Sequence, residues 1–185
     1  MNHFTFIQRV RNKIRINSSA ELEIAKNAKV VGCRISIKGK NNKLIIQEGA
    51  RVLRATLEIV GDNCTLFIGQ RSMIGDNCYL SVKEDGRRLY IGDDCGLSRN
   101  IKIMTSDGHP IFQNAERINP AKDIVVGAHV WIADNVTLLK GVTIGDGSVI
   151  GINSTVVASV PQNAVAVGNP ARVVKSEIRW EDKYE

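Results

Sequence analysis

The feature that most constrains this chain is a six-residue period. Val126, Ile132, Leu138, Ile144, Ile150 and Val156 recur every six residues. Each is followed at once by Gly127, Ala133, Leu139, Gly145, Gly151 or Val157. Four positions after each anchor stand Val130, Val136, Val142, Ser148, Ser154 and Val160. An α-helix cannot use this period, because at ~3.6 residues per turn the anchors would walk around the axis. A strand of two or three residues followed by a bend can use it. Three such hexads close a triangular coil of about 18 residues, and stacked coils pair as parallel sheets. The aliphatic anchor then fills the triangle. The small residue fits the corner, where glycine can also take a positive φ.

Upstream the same coil start recurs around Ile24, Ile46, Ile68 and Ile91 and continues through Val126 and Ile144, with spacings of 22, 22, 23, 35 and 18. Three coils therefore carry four or five extra residues. The turn-rich stretches near Gly39-Lys40-Asn41-Asn42, Gly61-Asp62-Asn63 and Glu84-Asp85-Gly86 predict turns that protrude along one edge. The phase slips at Glu58, which Leu57 and Ile59 straddle. The fourth coil carries about 17 extra residues, roughly 105–123. One long polar excursion from a short-looped solenoid marks a functional segment. The expected organisation is a cap segment over 1–19 (a starting strand or short helix), a β-helix over 20–175, and a tail or short helix over 176–185. Ala164 to Lys175 is expected to make one last extended pass.

Composition agrees with a narrow interior. Ile (22) and Val (19) dominate while aromatic residues are 5%, and β-branched aliphatics favour stiff layered strands. Hydrophobic residues at 43% against 24% charged exclude disorder. No apolar run reaches the ~18 residues of a membrane-spanning helix. A net charge of +6 suits phosphates or an acidic polymer. Nucleic acid is not expected, because no binding signature and too few stacking aromatics are present. Cys33, Cys64, Cys78 and Cys95 form no CxxC pair and follow the repeat, which predicts small reduced core residues. The basic residues Arg9, Arg11, Lys13 and Arg15 follow Phe4-Thr5-Phe6-Ile7, the reverse of a secretory signal. A cytoplasmic location is expected.

The stretches Gly108-His109-Pro110, Val130-Trp131-Ile132-Ala133, Gly141-Val142-Thr143-Ile144-Gly145 and Gly168-Asn169-Pro170-Ala171-Arg172 resemble, in order and spacing, the hexapeptide-repeat acetyltransferases. The similarity is to the galactoside, maltose and xenobiotic acetyltransferase branch, and within it to relatives that O-acetylate surface polysaccharides. It covers about 60–175, and the repeat extends it to about 22. The resemblance implies an all-β fold, a left-handed parallel β-helix built as a triangular prism. It also implies a homotrimer with active sites between subunits, acetyl-CoA as donor, and no required metal.

The chemistry falls first on His109, at the base of the excursion. Acetyl transfer from a thioester to a hydroxyl needs a base to take the hydroxyl proton, and imidazole suits that task near neutral pH. The resemblance gives His109 this role in a direct attack without an acyl-enzyme. Asp107 or a backbone carbonyl would orient the ring. The resemblance further places Trp131 near the thioester and Ala133 where glycine is common. It gives the Asp134 backbone N–H the task of steadying the thioester oxygen. Ile152 would line the pantetheine arm, and Arg172 and Lys175 would meet the coenzyme phosphates. Val157-Ala158 stands where relatives commonly have Thr-Lys, a departure that weakens the donor contacts. Asn77 and Asp85 match acceptor-binding positions. The helical cap that relatives close over the acceptor is not apparent, which suits a polymeric or lipid-linked sugar, and the basic charge suits an acidic one. Three alternatives compete. A zinc-binding prism of the gamma-class carbonic anhydrase type needs three suitably spaced histidines, whereas this chain has His3, His109 and His129. A non-enzymatic scaffold leaves the excursion unexplained. An N-acetyltransferase acting on a nucleotide-linked amino sugar usually carries a domain before the prism.

Overall fold

The computed structural model describes residue 4, residues 6–16 and residues 19–181. It is a parallel β-helix with three walls. The first wall stacks Lys13–Ile16, Arg34–Lys38, Thr56–Val60, Tyr79–Lys83, Lys102–Met104, Thr137–Leu138 and Thr155–Val156. The second stacks Glu21–Ile24, Lys43–Ile46, Thr65–Ile68, Arg88–Ile91, Ile124–Val126 and Thr143–Ile144. The third runs from Lys29–Val31 through Arg51–Leu53, Met73–Ile74, Gly96–Leu97, Trp131–Ile132 and Val149–Ile150 to Val165–Gly168. The chain visits second, third and first wall in turn, and each circuit climbs one strand spacing of about 4.8 Å.

The hexad anchors all point inward. Ile46, Ile68, Ile91, Val126, Ile132, Leu138, Ile144 and Ile150 are fully buried, each contributing about 2–3 kcal/mol relative to an exposed side chain. Small residues line the corners. Ala28, Ala50, Ser72 and Cys95 stack along one, and Cys33, Ala55 and Cys78 along another. All four cysteines are buried free thiols. Burial pushes the Cys78 and Cys95 thiols up to about 11, and Cys95 Sγ donates to the Gly127 carbonyl at 3.0 Å. That second corner also carries, one residue earlier in each coil, Asn77, Asn100, Asn135 and Asn153 at φ of 57°, 58°, 61° and 58°. Asparagine tolerates this left-handed conformation, and each side-chain amide donates to the next in a ladder of 2.8, 3.0 and 2.9 Å.

Three sequence expectations change, and the tail takes one of its two expected forms. The extra residues of the early coils do not merely protrude. Strands such as Thr56–Val60 and Thr65–Ile68 are longer, so Leu57 with Ile59 and Leu66 with Ile68 all point inward. The slip at Glu58 is thus a wider wall with two inward side chains, and the prism tapers toward its C-terminal coils. The β-helix also begins before residue 20. After a short helix, Phe6–Arg11, the strand Lys13–Ile16 already pairs in parallel with Arg34–Lys38. Phe4 plugs the wide end, and the buried Asn12 side chain donates to the carbonyls of Gln8 and Val30 and accepts from Cys33 N–H. At the narrow end, Val165–Gly168 turns at the cis Asn169-Pro170 bond and returns as an antiparallel strand, Ala171–Lys175. One hairpin replaces the single extended pass and covers the edge. Residues 176–181 are not helical, because they run as a strap held side-on, with Ile178 N–H on the Asn163 carbonyl and Trp180 stacked on His129 at 4.1 Å. Residues 182–185 lie outside the described residues, as does His3. Among the described residues no helix is long and apolar enough to cross a membrane.

Candidate active site

The excursion leaves the first wall after Met104 and rejoins the second at Ile124, so it hangs on the edge between those walls. Its tip is a two-strand hairpin, Phe112–Gln113 with Glu116–Arg117. Asn114 and Ala115 sit at positive φ in its turn, the geometry that matches hairpin twist. Two side chains that the sequence reading gave no part in the excursion hold this loop. Glu84 accepts from Arg117 Nη2, from Ser106 Oγ at 2.9 Å and from Ala121 N–H at 3.3 Å. The Arg117 guanidinium beside it is the main reason its carboxyl falls to about 2. Asn119 is buried; its Oδ1 accepts from Ile111 N–H at 2.6 Å. Its Nδ2 donates to Asp107 and to the His109 carbonyl, each at 2.9 Å.

His109 is exposed at the loop's base, with its backbone carbonyl fixed by Asn119. Asp107 does not orient the imidazole. Its carboxylate is taken by Lys140 Nζ and Asn119, and Lys140 lowers its pKa. The reason is the turn at Gly108, whose positive φ of 88° redirects the chain between the two residues. Signals for these supports were weak, because Glu84, Asn119 and Lys140 come from three separate segments.

On the third wall, beside its edge with the first, lies an open groove of about 710 Å³. Trp131, Ala133, Asp134 and Ile152 line it together with Met73 and Arg99. Met73, Trp131 and Ile152 are exposed there, which suits a long, thin, largely apolar arm. The Asp134 carboxylate is engaged by Arg99, which lines the same groove, and accepts from its Nη2 at 2.6 Å and its backbone N–H at 2.9 Å. Those bonds lower the Asp134 pKa. An acid at this point is therefore neutralised. The Asp134 backbone N–H has no acceptor among the described residues. Trp180 approaches Trp131 at 6.1 Å from the strap.

Arg172 and Lys175 lie on the returning strand and line no part of the groove; the Arg172 guanidinium donates to its neighbour's carbonyl. Val157 and Ala158 are exposed and offer no polar group. Asn77 is the first rung of the asparagine ladder, and Asp85 accepts from Asp62 N–H at 2.8 Å. Both serve the coil's turns in this structure. No residue of the excursion lines the groove. Within one chain, His109 and the four groove residues stand on different edges of the prism.

A family model described as bacterial transferase hexapeptide (six repeats) matches residues 123–158. The polysialic acid O-acetyltransferase of Neisseria meningitidis is 36% identical over 68% of this chain and 58% of its own length. The galactoside O-acetyltransferase of Escherichia coli K12 is 36% identical over 75% of this chain and 73% of its own. The chain spans 38% and 58% of the length of the Escherichia coli and meningococcal polysialic acid O-acetyltransferases. Among solved structures, the polySia-specific acetyltransferase NeuO superposes with a TM-score of 0.78 at 32% identity, over 96% of this chain and 93% of that one. A galactoside acetyltransferase in complex with coenzyme A superposes with a TM-score of 0.52 at 28% identity, over 64% and 59%. With a wall order, a hexad repeat and relatives that agree, the chain belongs to the hexapeptide-repeat acetyltransferase family, whose fold is the left-handed parallel β-helix.

Proposed function

We propose that this chain transfers an acetyl group from acetyl-CoA to a hydroxyl of a saccharide chain, as a cytoplasmic homotrimer with its sites between subunits. The observation that carries the reading is the separation just described. A donor-shaped groove lies on one edge, and an exposed histidine on a braced loop lies on another. A neighbour's loop set against the groove completes a site that one chain leaves open. The second wall supplies an apolar surface for such packing, where Ile45, Phe67, Tyr90 and Val125 align outward in register. Phe67 and Tyr90 stack there at 4.6 Å. A ring of three copies uses two unlike surfaces per contact, here the second and third walls. The buried free thiols agree with a reducing compartment.

In this mechanism the imidazole of His109 takes the acceptor's hydroxyl proton as its oxygen attacks the thioester carbonyl. The free Asp134 N–H donates to the developing oxyanion. The coenzyme leaves as a thiolate and regains the proton from the imidazolium. Relatives that act on polysialic acid and galactoside support a sugar acceptor, and the net charge of +6 supports an acidic one. Arg172 and Lys175 remain the proposed phosphate contacts and Asn77 and Asp85 the proposed acceptor contacts. A thiol-release assay with acetyl-CoA against a panel of sugars, nucleotide sugars and oligosaccharides tests the reading. His109→Ala is expected to lower turnover at least ~10²-fold while trimer and coenzyme binding persist. A variant with near-full activity refutes the mechanism.

A further inference from the structure

The first wall differs from the other two in its outward chemistry. Its register aligns Lys13, Arg34, Thr56, Tyr79 and Lys102 along the prism axis. Beside that line, near the wide end, lies a groove of about 610 Å³, partly enclosed by Arg15, Ser36 and Glu58 together with the first four of those residues. Three of the cations here differ from the paired arginines of the turns. Arg54, Arg71, Arg87 and Arg99, in the turns, each pair with a carboxylate one coil on. Lys13, Arg15 and Arg34 are exposed and form no ion pair among the described residues. No acidic residue precedes Glu21 in the chain. The outward acid in this groove, Glu58, is held by Lys83 at 3.1 Å and by the Tyr79 hydroxyl, which leaves the wall with a surplus of positive charge.

We infer that this groove binds carboxylate-bearing sugar units of an acceptor chain, several units away from the one acetylated; this rests on the function proposed above. Three features favour that ligand. Unpaired guanidinium and ammonium groups recognise carboxylates. The hydroxyls of Ser36 and Thr56 and the carboxylate of Glu58 offer partners for sugar hydroxyls, and that carboxylate would repel closely spaced phosphates. Tyr79 contributes a ring, but its hydroxyl is tied to Glu58 and no second ring stands beside it on this wall, so bases find no stacking platform. The position also fits. The wall's Lys102–Met104 strand leads directly into the excursion that bears His109. It stands four strand steps above Lys13–Ile16, about 19 Å along the axis. Burying so cationic a wall against its own copies would bring like charges together at a cost, so it is left to face outward while the other walls meet.

The test is direct binding without donor, on the full chain. Sialic acid oligomers of increasing length are compared with uncharged dextran oligomers, a single-stranded DNA oligomer and anionic phospholipid vesicles. The acidic saccharide is expected to bind more tightly as it lengthens, and the dextran not to bind. Lys13→Ala with Arg34→Ala is expected to weaken the longest oligomer about tenfold or more and flatten its salt dependence. Coenzyme A binding should be unchanged in that double variant. Equal binding of dextran, unchanged affinity in the double variant, or a preference for DNA or vesicles overturns the inference. Because acetylation is not the readout, charge-dependent binding without acetyl transfer would refute the enzymatic reading and leave the groove standing. Transfer to long acidic acceptors that is indifferent to the double variant would do the reverse.

Discussion

Replacing Glu84 by glutamine tests whether the excursion is braced as the structure implies. This one carboxylate ties the loop's entry through Ser106, its hairpin through Arg117 and its exit through Ala121. An ordinary glutamate near 4.5 falls to about 2 here, which at about 1.4 kcal/mol per pH unit corresponds to about 3 kcal/mol. The side chain is 31% exposed, and solvent screening reduces that to about 1–2 kcal/mol. Glu84→Gln should therefore make loop opening about tenfold more frequent at neutral pH. Native-state hydrogen exchange should show amides within 106–121 exchanging about tenfold faster, with wall amides such as Ile91 unchanged. The pH dependence has a definite sign. A carboxyl with a depressed folded pKa contributes fully above its unfolded value near 4.5 and loses its contribution as pH falls toward about 2. Wild-type loop protection, corrected for intrinsic exchange, should fall across that window, and the glutamine variant should lack the fall. Equal loop exchange in the two proteins at neutral pH, or a flat wild-type profile between those values, refutes the bracing argument.

Three other expectations follow from the same geometry. A Cβ at Gly92 would meet the Gly127 carbonyl oxygen at 2.5 Å, so Gly92→Ala should destabilise by roughly 1–3 kcal/mol, read as a lowered midpoint in thermal or urea unfolding. The four buried thiols, with Cys78 and Cys95 near 11, should resist alkylation at pH 8 in the folded protein and react fully after denaturation. Removing Arg99 frees the Asp134 carboxylate beside the proposed donor groove; Arg99→Ala should lower kcat/KM for acetyl-CoA on the order of tenfold, and adding Asp134→Asn should recover most of it.

The inward half of the fold was legible because hexads repeat it at every coil. Anchors such as Ile91 and Leu138 and corner residues such as Cys95 answer to a rule that admits few side chains. The slip at Glu58 misled because a period of six assumes one inward side chain per wall. A longer strand presents two, and the alternation around Glu58 carried that information. The terminal hairpin escaped because its strand, Ala171–Lys175, runs antiparallel and keeps no hexad phase. Trp131, Ala133, Asp134 and Ile152, proposed to face the donor, do share one groove, since each follows the third wall at a fixed phase. Glu84, Asn119 and Lys140 were invisible because their meeting depends on how a 19-residue segment folds back across coils that no period relates.

That contrast has a physical root. Inside the prism each position is fixed by packing, so the three walls are nearly interchangeable. Outside it, packing imposes nothing, and the walls diverge. One carries Lys13, Arg15, Arg34 and Lys102; the second carries Ile45, Phe67, Tyr90 and Val125; the third carries Trp131 and Met73 over a groove. Such divergence would be costly in a fold whose core residues also had to serve the surface. In a β-helix the alternation of strands separates the two tasks, so stability is written in the even phase and recognition in the odd. Outward columns one coil apart, rather than residues adjacent in sequence, are then the unit in which a chain of this kind specifies its ligands and its neighbours.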